Sequence, residues 1–320
     1  MNTATTKSSR VLARYKGSHP GPLLIAIGAS HGNEKAGIKA IRLLRKMLEV
    51  EPIRNPSFGY RGNFVGLVGN LSAAKQNVRF VDMDLNRQWT DQQVESIMNS
   101  NPKEISIREH YELRSLLSCI HQEVRRYRPE VVIVLDLHTT SSDGGIFVIP
   151  ADQDESVDIA MQLHAPVIHE MLQGIEGTTL HYFQHRSIHG ADCVPITFEA
   201  GQHGDPKSTN RCIAAIVNCM RAIGSVRSQD VENIHDQVLI NYSANLPKSC
   251  RLVYTHQISK EDEFRMFPGF QNFMPIEKGQ QLATDISGPV YTPHAGRILM
   301  PLYQVQGDDG FFVIEDVLSN

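Results

Sequence analysis

Mostly apolar runs alternate along this chain with segments patterned at a helical period. Residues 23–27 and 131–137 lack the in-out alternation of a half-exposed strand, so each reads as a strand buried on both faces of a sheet. Behind the first run, Ala36, Ile38, Ile41, Leu43, Leu44 and Leu48 mark the apolar stripe of a helix, with Glu34 at its positive end. The same reading predicts strands at 63–68, 146–149 and 195–198, and helices over 107–126, 155–173 and 207–223. Residues 1–20 read as a partly loose leader and 78–89 as a polar loop. Strands alternating with helices predict an α/β fold on a mixed, mainly parallel sheet flanked by helices.

From Arg251 the pattern changes. Short β-like pieces at 252–254, 281–283, 296–300 and 311–314 are broken by Gly and Pro, as in a small all-β module. The polar stretch 224–245 reads as a connection, which divides the chain into an α/β catalytic domain over 1–228 and a linker with a C-terminal β domain over 229–320. A chain of 320 residues has room for both. The stretch 288–300 faintly resembles half of a biotinyl or lipoyl carrier, but it has no lysine to take the prosthetic group.

Composition narrows the class without naming a ligand. With 41% hydrophobic residues, 21% charged residues and a formal charge of −4, the chain has no electrostatic preference for nucleic acid or for an anionic membrane. Its 5 cysteines are scattered, without a Cys-x-x-Cys pair, which fits a reducing compartment. The first twenty residues hold no apolar stretch long enough for a signal peptide or a membrane span, so a cytoplasmic location is expected. A homo-oligomer is left open.

The chemistry gathers at strand ends. His31, His138 and Glu199 each lie just beyond the carboxyl end of a predicted strand, where open α/β sheets collect their ligands, and Glu34 follows His31 by three at the entry to the helix. Two imidazoles and one carboxylate leave a fourth position for water, the donor set of a hydrolytic zinc, with one Zn2+ expected per chain. Glu199 is placed to take the proton of an attacking water. In the loop 78–89, the rigid forks of Arg79 and Arg87 suit polarising a carbonyl or gripping a carboxylate. Asp136 precedes His138 by two and shares its face of the strand, so it is expected to orient a ligand, and Asp84 is expected to hold Arg87.

Four blocks in order complete the picture: HGNE at 31–34, the loop from Arg79 ending in DLNR at 84–87, DLHTT at 136–140 and FEAG at 198–201. Together they resemble the succinylglutamate desuccinylase/aspartoacylase family, over residues 23–205. The resemblance implies a zinc carboxypeptidase-like domain that removes an acyl group from a small N-acyl amino acid, with His31, Glu34 and His138 as zinc ligands. It implies Glu199 as general base and acid, Arg79 beside the scissile carbonyl, and Asn86 with Arg87 as a clamp for a substrate carboxylate. Arg186 is similar to a further carboxylate-binding arginine, and Tyr303 to a substrate-contacting tyrosine in a β module that partly covers the site. The alternatives are a zinc carboxypeptidase or esterase acting on a carboxylate-bearing substrate, and a non-catalytic zinc-binding protein on the same fold.

Overall fold

A computed structural model describes residues 9–230 and 234–317. The chain opens with β1 (Val11–Lys16), β2 (His19–Gly28), α1 (Ala36–Arg54), β3 (Arg61–Val68) and α2 (Leu71–Gln76). There follow α3 (Asp91–Asn99), α4 (Arg108–Tyr127), β4 (Val131–Thr140), β5 (Phe147–Pro150), α5 (Asp154–Met161) and β6 (Val167–His169). Next come α6 (Thr179–Phe183), β7 (Ser187–Ile188), β8 (Ala191–Gln202), α7 (Ser208–Ala222) and α8 (Ile234–Ser243). The last strands are β9 (Ser249–Gln257), β10 (Arg265–Met266), β11 (Pro275–Ile276), β12 (Gln281–Asp285), β13 (Gly288–Tyr291), β14 (Gly296–Leu299) and β15 (Asp309–Asp316).

One large mixed sheet runs in the order β1-β3-β2-β4-β8-β5-β6-β9-β15-β14-β11, with β7 paired to β8. The pleat explains why the middle stretches of its central strands are apolar on both faces. Leu24 and Ala26 of β2, with Ile133 and Leu135 of β4, pack beneath Ile41 and Leu44 of α1 and Ile213 and Ile216 of α7. Their neighbours Leu23, Ile25, Ile27, Val132 and Val134 point the other way, into Leu113, Leu116 and Ile120 of α4. Each strand residue is thus buried on one face or the other, at about 1.5–3 kcal/mol for each large side chain.

The parallel core β3-β2-β4-β8 also sets the level of the strand ends. Gly28 lies beside Leu137, and His138 lies beside Glu199. Residues just past these ends therefore converge on one edge of the sheet. The C-terminal strands extend the same sheet, because β9 pairs in parallel with β6 and antiparallel with β15. A small antiparallel sheet, β10-β12-β13, stands apart.

Three sequence expectations are corrected. Residues 11–16 of the expected leader form β1, paired with β3, while residues 1–8 lie outside the described residues. The helix expected over 155–173 stops at Met161, since His164 is left-handed at φ 57° and Pro166 cannot continue a helix; β6 follows. The expected connection 224–245 contains α8, with 231–233 outside the described residues. No helix among the described residues is long and apolar enough to cross a membrane.

Candidate active site

A sharp turn delivers the first two groups. Beyond β2, Ala29 is left-handed at φ 57°, and Gly32 passes so close to α2 that a Cβ there would lie 2.1 Å from the Ala73 carbonyl carbon. The Glu34 amide donates to His31 O at 3.1 Å, and the Gly32 amide to Arg79 O at 2.9 Å, tying the turn to the arginine loop. His31 Nδ1 then lies 2.8 Å from Glu34 Oε1. From the end of β4, His138 brings its Nδ1 to 3.1 Å from Glu34 Oε2. All three side chains are buried. Their ligand atoms lie within 4.8 Å of one another, in the one such His/Cys/Asp/Glu group among the described residues.

The far nitrogens decide what this cluster accepts. His31 Nε2 sits 3.1 Å from Asp84 Oδ1 and His138 Nε2 3.1 Å from Asp136 Oδ2. His138 Nε2 makes no hydrogen bond at that approach, and both Nδ1 atoms face the Glu34 oxygens, where a metal ion would take the place of the shared protons and engage all three donors at once. Asp136 is fixed by Ser30 Oγ at 2.7 Å and Thr179 Oγ1 at 2.8 Å. Asp84 accepts from Arg79 Nε at 3.0 Å and from the Asn86 amide at 2.8 Å, so it holds Arg79 rather than the expected Arg87. Burial opposes charge on Glu34, but His31 and His138 outweigh it and hold the carboxyl well below the usual range. Burial likewise disfavours a charged His138, yet Asp136 and Glu34 hold its pKa well above that of a free imidazole.

Glu199 stands beside this cluster on β8. It is buried, and its Oε2 has no hydrogen-bond partner among the described residues. Burial pushes its carboxyl up, against the pull of His138 and with the repulsion of Glu34, to about 7. Glu199, His31, Glu34, His138, Arg79, Asn86 and Arg87 open on one cavity of about 100 Å³. Arg79 Nη1 lies 3.8 Å from Glu34 Oε1. Asn86 Oδ1 accepts from the Thr179 amide at 3.0 Å, and Arg87 Nη2 donates to Asp309 Oδ2 at 2.5 Å.

Two expected residues stand away from this lining. Arg186 pairs with Asp91, and its guanidinium lies 4.1 Å from the centre of the Tyr182 ring. The Tyr303 hydroxyl donates to Phe267 O at 2.8 Å and accepts from the Phe270 amide at 2.9 Å, inside the C-terminal segment.

Sequence reasoning missed Glu109 and Asp309. Glu109 is buried at the start of α4, where it accepts from the amides of Val81 at 2.7 Å, Asp82 at 2.9 Å and Met83 at 3.3 Å, and from Asn70 Nδ2 at 2.9 Å. That anchors the loop carrying Arg79 and Arg87. A glutamate in a first helical turn is commonplace, so nothing local marks it.

Residues 20–223 match the family model of the succinylglutamate desuccinylase/aspartoacylase catalytic domain. A Nostoc sp. protein described as a probable aspartoacylase is 30% identical over 128 residues, which make up 40% of this chain and 38% of that protein. A Xenopus laevis protein described as an N-acyl-aromatic-L-amino acid amidohydrolase (carboxylate-forming) is 26% identical over 134 residues, 41% of this chain and 39% of its own length. The solved succinylglutamate desuccinylase/aspartoacylase of Rhodobacter sphaeroides superposes with a TM-score of 0.64 at 15% identity, covering 95% of this chain and 88% of the other. Murine aminoacylase 3 gives 0.60 at 17%, covering 93% and 96%. At such identities the structural likeness carries the fold.

Proposed function

The chain belongs to the succinylglutamate desuccinylase/aspartoacylase family, and from that premise we propose that it is a zinc-dependent hydrolase that removes the acyl group from a small N-acyl amino acid. One observation carries the reading. The buried Glu199, one of whose carboxylate oxygens has no hydrogen-bond partner among the described residues, lines the same cavity as three convergent metal donors.

Two histidines and one glutamate are the donor set of a catalytic zinc, which when bound supplies a Lewis acid for the acyl carbonyl and brings water near its ionisation point at neutral pH. Glu199 accepts the proton of the attacking water and passes it to the departing amine nitrogen; burial, which raises its carboxyl, suits it to both transfers. Arg79, beside Glu34 and braced by Asp84, donates to the carbonyl oxygen as negative charge grows on it. Asp84 and Asp136, each 3.1 Å from the far nitrogen of one imidazole, favour a proton on Nε2 and would leave Nδ1 to a bound metal. Asn86 and Arg87 border the part of the cavity that receives the rest of the substrate, including a carboxylate. The five free thiols suit a cytoplasmic setting.

The test is a substrate panel given to zinc-loaded wild type and Glu199→Gln: N-acyl amino acids, C-terminal peptides and carboxylate-bearing esters. Amine release from N-acyl amino acids that vanishes in the variant supports the deacylase. Turnover confined to peptides or esters would replace it by the carboxypeptidase or esterase reading, and zinc-loaded protein inert to all three would favour a binding role.

A further inference from the structure

A substrate carboxylate does not meet a free Arg87. Its Nη1 donates to Asn86 O at 2.9 Å and its Nη2 to Asp309 Oδ2 at 2.5 Å. The ion pair is well enclosed, with side-chain exposures of 21% for Arg87 and 10% for Asp309. Asp309 opens β15, and both it and Asp308 line the catalytic cavity. Glu176 joins Arg87, Asp308 and Asp309 around an adjoining recess. The guanidinium is thus paired with Asp309 and feels the charge of Asp308 beside it, so one carboxylate already occupies a place that a substrate carboxylate needs. Much of the remaining wall is apolar, formed by Ile149, Leu172, Leu180, Met300 and Phe312.

We infer that Asp309 is a specificity-determining residue: it fills one anion place in the pocket from within and so turns the enzyme from doubly anionic N-acyl amino acids toward those carrying a single carboxylate. The physical ground is competition for Arg87 in a partly desolvated wall, where like charges brought together are poorly screened. The inference rests on the deacylase reading for its substrate class, but the charge preference is measurable without turnover.

N-acetyl-asparagine and N-acetyl-aspartate are nearly isosteric and differ by one charge. Zinc-loaded wild type is expected to show at least a tenfold higher kcat/KM for the asparagine compound. Asp309→Asn keeps a hydrogen-bonding side chain and is expected to shift that ratio at least tenfold toward the aspartate compound, chiefly through KM. Asp308→Asn, which does not break the Arg87 pair, should shift it the same way by less. Equilibrium binding of both compounds to zinc-loaded Glu199→Gln, with and without Asp309→Asn, gives the ratio independently of chemistry. Should wild type release no amine from any N-acyl amino acid, the deacylase reading fails while this binding ratio still decides the role of Asp309. A wild-type preference for the aspartate compound overturns the inference. So does binding of neither compound, or an Asp309→Asn variant that weakens both alike, which would make Asp309 merely a prop for Arg87.

Discussion

His31, Glu34, His138 and Glu199 are held by the ends of three neighbouring strands, β2, β4 and β8, whose parallel register fixes their relative height. Asp309, Met300 and Phe312 reach the same cavity from the C-terminal segment, which joins the sheet only beyond β6. The first wall is a set of buried donors, each imidazole with a buried aspartate 3.1 Å from its far nitrogen. The second presents Asp309, paired with Arg87 of the loop, beside the apolar Met300, Leu302 and Phe312. On the proposed function, chemistry belongs to the strand ends and selection to the C-terminal wall.

Changes at the first wall should strike rate and metal, and changes at the second should strike preference. The largest effect is expected from Glu199→Gln: zinc content unchanged and turnover lower by about 10³-fold, read from steady-state kinetics beside elemental analysis. Asp136→Asn comes next, with zinc affinity about 10–100-fold weaker in a chelator competition because the His138 tautomer loses its brace. Unchanged affinity would separate that aspartate from the metal. For Asp309→Asn the expectation is a shift of charge preference at least tenfold in the matched acetyl pair, without loss of zinc; a fall in zinc content would break the division between the walls. Smallest for the site itself is Glu109→Gln, which unbalances a carboxylate serving three backbone amides and Asn70 and should cost about 1–3 kcal/mol in urea unfolding. Full stability in that variant would mean the arginine loop stands without its anchor.

The two walls also differ in how far the sequence reveals them. Each strand-end group follows an apolar run that announces a buried strand, so local pattern alone brings His31, His138 and Glu199 to one edge. The Arg87–Asp309 pair spans 222 residues, and no periodicity encodes a contact of that range. Glu109 escapes for the same reason, since the amides it holds lie 26 to 28 residues away. β1 was hidden because its polar residues looked solvated. In the fold, Arg14 meets the buried Glu123 at 2.7 Å, and Arg10, just ahead of the strand, pairs with Glu112. Arg186 and Tyr303 sit in neighbourhoods that resemble family positions, yet Asp91 with Tyr182 and the backbone at Phe267 and Phe270 engage them elsewhere.

The central claim is that one metal ion, held by His31, Glu34 and His138, and one proton carrier, Glu199, act together. Metal-stripped wild type and Glu199→Gln titrated with zinc, with bound metal and amine release from an N-acyl amino acid followed in parallel, test it most directly. Both proteins are expected to take up about one zinc per chain, with activity returning in proportion only in the wild type. Activity without zinc, or full recovery in Glu199→Gln, would contradict the account.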